Sequence, residues 1–153
     1  MNVLGIDPGQ KGGIAFLSDH HAEAVPMPTV GKEIDGRAIA EILKTRGVEL
    51  VVIEKVGAMR RDGRPQGAVS MFRFGFGTGL IVGVLEALSL PYRMVTPQAW
   101  KSLVLAGTAR DKEAAIQFVR RAYPQIDLTP GRIRTPHDGM ADAVCLAEWG
   151  RRL

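Results

Sequence analysis

The chain has 153 residues, 46% of them hydrophobic and 24% charged, with a formal net charge of +4. These values exclude a disordered or low-complexity chain and fit one globular domain over residues 1–153 with a sizeable core, and the modest positive excess leans toward an anionic partner. The lone Cys145 excludes an internal disulfide framework and, with no secretory leader at the N-terminus, points to a reducing, cytoplasmic setting.

"NVLGID", residues 2–7, predicts a buried strand: short, apolar and stopped by Pro8-Gly9. Its last residue is a carboxylate, and an unpaired charge at the edge of a core costs free energy. Asp7 therefore either caps the turn or awaits a cation. "GIAFLS" and "AEAVPM" predict two further strands joined by a turn at Asp19-His20-His21. "DGRAIAEILKTRG" places Ile39, Ile42 and Leu43 at helical spacing before Gly47 and predicts a helix. "ELVVIEKV" predicts a fourth buried strand, and it too ends in an acid, Glu54. A basic Gly/Pro-rich loop, "GAMRRDGRPQGA", follows.

"VSMFRFGFGTGLIVGVLEALSL" predicts a long apolar helix ending before Pro91. Arg73 and Glu86 break it, so it falls short of the roughly 20 unbroken apolar residues of a bilayer span, and a soluble protein is expected. "YRMVT" predicts a strand, and Pro97 suits the first turn of the next helix. "PQAWKSLVLAG" and "RDKEAAIQFVRRAYP" predict two helices split at Gly107. A second basic loop, "TPGRIRTPHDG", leads into a closing helix, "HDGMADAVCLAEWGRRL", in which Cys145 reads as a small buried hydrophobe.

Three strands followed by alternating helices and strands predict an α/β fold. Its sheet is mixed and five-stranded, with three antiparallel strands then two parallel, flanked by helices. Ligand sites in such sheets lie beyond the carboxyl ends of the parallel strands. If the first and fourth strands are neighbours, Asp7 and Glu54 converge. Adjacent carboxylates repel, so one takes a proton or both share a cation, and oxygen ligands suit Mg2+ or Mn2+. Asp138 and Asp142 stand four apart on one helical face, where like charges cost a few tenths of a kcal/mol. Asp138 reads equally as a helix cap; Asp142, one turn inside, is better explained by a cation.

"GIDPG", "VVIEKV" and "HDGMADAVCLA", in this order of elements, resemble the three acidic motifs of the RuvC-like Holliday junction resolvases, in a phage- or organelle-type variant. The resemblance covers nearly the whole chain. It implies a ribonuclease H-like fold and a divalent-metal-dependent endodeoxyribonuclease that resolves four-way DNA junctions by paired symmetric nicks. It also implies two Mg2+ or Mn2+ ions per site, with Asp7, Glu54 and Asp142 as ligands. Bacterial members of the family place an Asp or His three residues before the last Asp, where this chain has Gly139. Asp138, four before, is taken as the fourth ligand, with His137 in reserve; if His137 ligates, Asp138 is a cap. Lys101 and Lys112 resemble basic residues used near the scissile phosphate, against the alternative of solvated surface lysines. Lys55, Arg60, Arg61 and Arg64 after the second motif, and Arg132 and Arg134 before the third, suit salt-dependent contacts to a DNA backbone. Met59 stands where resolvases tend to place a residue that probes the junction centre, and reads equally as a loop methionine covering the core.

Paired nicks call for two equivalent sites, so the resemblance implies a homodimer. Its candidate interface is the helix from Phe72 to Leu88, where Gly75, Gly79 and Gly83 suit close packing, with simple packing of the helix onto the sheet as the equal alternative. A bacterial, phage or organellar setting fits the resemblance. Two alternatives stay open: another ribonuclease H-like nuclease acting on RNA or on flap or fork DNA, and a catalytically inactive junction-binding protein.

Overall fold

Short apolar runs rich in β-branched residues favour extended backbone, and five of them pair into one sheet. In chain order, β1 (Val3–Asp7), β2 (Gly13–Leu17) and β3 (Ala22–Pro26) form an antiparallel meander. β4 (Thr29–Val30) and β5 (Glu33–Ile34) make a separate small hairpin. Then come α1 (Gly36–Lys44), β6 (Leu50–Glu54), α2 (Ala68–Ala87), β7 (Tyr92–Val95), α3 (Pro97–Val104), α4 (Lys112–Ala122) and α5 (Asp138–Arg151). This is a computed structural model, and it describes residues 1–55, 57 and 67–153. The sheet order is β3-β2-β1-β6-β7, with β6 parallel to both β1 and β7. The expected mixed sheet is therefore present. The β4–β5 hairpin was not foreseen, because two residues per strand are too few for an alternating pattern to register.

Alternation along β1 divides the core into two layers. Val3 faces the side covered by α3, α4 and α5, with Val52, Trp100, Val119 and Val144. Leu4 and Ile6 face the side covered by α1 and α2, with Ile39, Leu43, Ile81 and Leu85. α1 starts where it does because Asp35 accepts hydrogen bonds from the Arg37 and Ala38 N–H groups, both at 3.1 Å.

Gly5 is the tightest point between the layers. A Cβ there would collide with the Ala143 carbonyl oxygen and lie 2.5 Å from the Ala147 nitrogen. α5 thus rests on β1 backbone to backbone. The same holds at the end of β1. A Cβ on Gly13 would lie 2.8 Å from both the Gly139 oxygen and the Met140 Cα, and one on Gly139 would strike the Lys11 carbonyl. Farther along, Gly150 faces Val3 and Val52. α5 therefore runs antiparallel to β1, its first turn at the strand's carboxyl end.

α2 is different. Gly77, Ile81 and Leu85 are buried, but most of its surface is not. By length and composition alone it is apolar enough to cross a membrane, at a mean hydropathy of 1.6 with 17% of that window buried. Counting only an unbroken apolar run understated this, because Arg73 and Glu86 lie toward the two ends of the helix. The helix stops at Ser89, in the left-handed region at φ 53°, two residues ahead of Pro91.

Gly5→Ala tests the layer contact. It is expected to destabilise the fold by about 3 kcal/mol, at the upper end for overpacking, as read by chemical denaturation. An unchanged midpoint would mean that α5 does not lie against β1.

Candidate active site

The β1–β6 register runs from Val3 opposite Leu50 to Ile6 opposite Ile53. The next residue on each strand is Asp7 and Glu54. They close adjacent parallel strands, whose axes lie about 4.8 Å apart. The α5 contacts with Gly13 and Lys11 bring Asp138 and Asp142 to this same end of the sheet. All four acids predicted from the sequence thus belong to one edge of the fold.

Glu54 and Asp142 are 7% and 9% exposed, and among the described residues they are the only buried charged side chains. Taking a carboxylate out of water costs several kcal/mol unless partners offset it. Glu54 meets this through Trp100, whose indole Nε1–H donates to Oε2 at 2.7 Å.

Asp138 is the first residue of α5 and is ion-paired with Lys112, the first residue of α4. Its Oδ1 also accepts from the Gly139 N–H at 3.1 Å. Partial burial pushes its carboxyl up, but the Lys112 ammonium and the backbone N–H groups outweigh this and hold it below the usual carboxylate range. The helix cap is not Asp138 but His137, whose Nδ1 accepts from the Met140 N–H at 3.1 Å. His137 thereby spends one ring nitrogen on the helix end, and Asp138 is left to Lys112. Gly139 cannot carry a ligand at all, since any side chain there would run into the Lys11 carbonyl. An acid three residues before Asp142 is sterically barred in this chain, and one four before is not.

The donor set suits a hard divalent cation: carboxylate oxygens only, two of them buried. The four acids share an edge without closing into a cage, and among the described residues no three His, Cys, Asp or Glu side chains stand ready to hold a metal ion.

No protein-family model matches the chain, and no curated protein sequence does. Solved structures do match. RuvC from Thermus thermophilus superposes with a TM-score of 0.68 at 21% identity, covering 99% of this chain and 96% of that one. The fold is the ribonuclease H-like fold of RuvC. The yeast mitochondrial Holliday junction resolvase Ydc2 gives a TM-score of 0.62 at 15% identity, over 98% of this chain and 77% of its own. The Fowlpox virus resolvase, solved with substrate Holliday junction DNA, gives 0.55 at 15% identity, over 99% of both chains. At these identities the likeness is one of fold.

Around this RuvC-like edge the cations fall into three groups. Lys112 contacts Asp138, and the Lys101 Nζ lies 5.1 Å from the centroid of the Trp100 ring. Lys55 is exposed directly after Glu54, its N–H donating to the Val95 carbonyl at 2.7 Å, and Arg132 and Arg134 are exposed in the loop before α5. Arg60, Arg61, Arg64 and Met59 lie outside the described residues. A cavity of about 660 Å³ lies between the turn after Asp7 and the start of α2, where Lys11, Lys32 and Arg73 surround it. Lys11, Lys32 and Trp100 carry no motif that marks them in the sequence, and Arg73 stands out there only as a charge in an apolar helix. Lys11 was within reach, since it follows the Asp7 turn. Trp100 was not, being 46 residues from Glu54. Cys145 is buried as expected, its thiol pushed up by burial and by Asp142, which suits packing rather than nucleophilic attack.

Lys112→Met tests the Asp138 pair. Because the folded carboxyl titrates low, the pair's stabilisation is complete above the ordinary carboxylate pKa and is lost as the pH falls through the lowered value. Removing Lys112 is expected to move the Asp138 titration upward in carboxyl 13C NMR. An identical titration curve would mean that the pair does not persist in solution.

Proposed function

We propose that this protein is a divalent-metal-dependent endodeoxyribonuclease that resolves four-way DNA junctions by paired symmetric nicks. The observation that carries the reading is the gathering of Asp7, Glu54, Asp138 and Asp142 at one sheet edge, with Glu54 and Asp142 buried. Carboxylates brought to one end of a sheet form the oxygen-rich setting that a hard divalent cation takes.

On this reading the four acids hold Mg2+ or Mn2+, two ions per site. Such ions supply a hydroxide near neutral pH and stabilise the leaving 3′-oxygen. Asp138 is the fourth ligand rather than His137, because the His137 Nδ1 is engaged with the Met140 N–H. The remaining work falls to the chain's cations. Lys112 holds Asp138 in place and stands ready to exchange it for a phosphate oxygen, while Lys101 approaches from α3. Lys55, Arg132 and Arg134 grip the backbone on either side. The RuvC and Fowlpox virus resolvase structures solved with Holliday junctions favour branched DNA as the substrate.

Two nicks call for two sites, and α2 supports a homodimer. Val69, Phe72 and Phe76 are 73%, 75% and 58% exposed. Beside them a Cβ on Gly75, Gly79 or Gly83 would meet nothing within 4 Å. Among the described residues nothing packs against these glycines, so the close approach they permit is available to a second α2. The buried free thiol fits residence in a reducing compartment.

Synthetic four-way junctions, duplexes and flaps, each incubated with Mg2+ or with EDTA, test the activity. Paired nicks in junctions only are expected, and only with metal; no cutting with any divalent ion would sink the nuclease reading, and cutting of flaps alone would sink the junction reading. Asp7→Asn is expected to reduce cutting to background while junction binding in EDTA persists. Gly79→Leu tests the dimer. The protomer has room for the side chain, so the fold should hold while light scattering reports a monomer. A dimer of unchanged affinity would place the interface elsewhere.

A further inference from the structure

We infer that Trp100 is the positioning residue for Glu54: its indole N–H fixes one carboxylate oxygen and orients the other toward the end of the sheet. The inference rests on the proposed metal site and deepens it. Its basis is the 2.7 Å bond from Nε1 to Oε2, made between a fully buried indole and a carboxylate only 7% exposed.

Local structure directs this contact. β7 pairs with β6 as far as Glu54 opposite Val95. The chain then turns at once into α3: Thr96 caps it by accepting from the Ala99 N–H at 3.3 Å, and Pro97 occupies its first turn. Trp100 follows within that turn and folds back over the end of β6. The strand that neighbours Glu54 thus delivers the donor that holds it.

A buried tryptophan needs some acceptor, and a main-chain carbonyl would satisfy it. Two observations make this acceptor more than a convenience. First, among the described residues no side-chain cation pairs with Glu54, so the indole is what compensates its burial. Second, an indole donates without bringing a charge. A lysine or arginine in its place would neutralise the carboxylate and compete with any cation. A neutral donor restricts the carboxylate's rotation and leaves the second oxygen to ligate. Partners of this kind around metal ligands are worth about 10- to 100-fold in metal affinity. The same ring also serves Lys101, which lies 5.1 Å from its centroid. One indole therefore places an anion at its edge and a cation over its face.

The test uses the full-length protein and Mn2+ as the probe. In 1H–15N spectra the chain gives two indole resonances, from Trp100 and Trp149, separated by Trp149→Phe. Substoichiometric Mn2+ is expected to broaden the Trp100 Nε1–H selectively, and Glu54→Ala is expected to shift that resonance upfield and abolish the broadening. Trp100→Phe, which keeps an aromatic ring but loses the donor, is expected to raise the Mg2+ concentration for half-maximal junction cleavage about 10-fold. An Nε1–H resonance indifferent to Glu54→Ala overturns the inference, even in a protein that cuts no DNA. So does a Trp100→Phe protein with the wild-type Mg2+ requirement. Should Trp100→Phe fail to fold, the Glu54→Ala spectra, recorded with the native indole, still decide. Failure of the wild-type protein to cut any DNA would instead overturn the nuclease reading, which these spectra do not depend on.

Discussion

The contact on which the rest depends is the one between two backbones, α5 on β1. Gly5 removes the side chain that would hold the helix off the strand, and Gly13 and Gly139 do the same at the strand's end. Helices normally pack at a distance set by side chains. Here alanines and glycines replace them, which fixes the position of α5 closely and leaves little freedom to slide. That fixity matters because Asp138 and Asp142 ride on the helix while Asp7 and Glu54 end the strands. Constellations built on helices and strands are held more tightly than constellations on loops.

The same contact explains the sequence around the third acidic motif. Position 139 lies against the Lys11 carbonyl and admits only glycine. Moving an acid one residue earlier, to 138, keeps it within the first turn and clears the turn after β1. The displacement puts Asp138 within reach of Lys112 at the start of α4. It also hands the cap to His137. Three neighbouring residues thus take three different duties, each set by geometry: a cap, a paired acid and a spacer.

The strands, the helices and the acids were legible in the sequence because each is a local signal. Apolar runs ending at Pro8-Gly9 or in Glu54, and helical spacing before Gly47, need no knowledge of the fold. The convergence of Asp7 and Glu54 was conditional on β1 and β6 being neighbours, and the two strands do pair. What was not legible is long-range or very short. Nothing in the sequence ties Trp100 to Glu54, since that bond is created by the pairing of β7 with β6. The β4–β5 hairpin is too brief to show a period. The choice between Asp138 and His137 as cap depends on the ring nitrogen that happens to meet the Met140 N–H. The glycines of α2 were read as close packing, but the sequence does not say against what; the open space beyond them points outside the protomer.

α2 links the core to the surface of the protein. One side of it, through Gly77, Ile81 and Leu85, belongs to the core. The other leaves large apolar side chains in water, with Phe72 and Phe76 stacked at 6.3 Å between centroids. Each such side chain contributes roughly 1.5–3 kcal/mol when it is buried. Were a second copy to cover this face about a twofold axis, each copy would supply both the patch and its complement. A twofold axis through α2 would relate two sets of acids rigidly, since α2 and β1 share a layer of the core with Ile6 and Ile81. The spacing of the two sites would then be set by the interface itself rather than by a linker, which is the arrangement that symmetric cutting of a four-armed substrate requires.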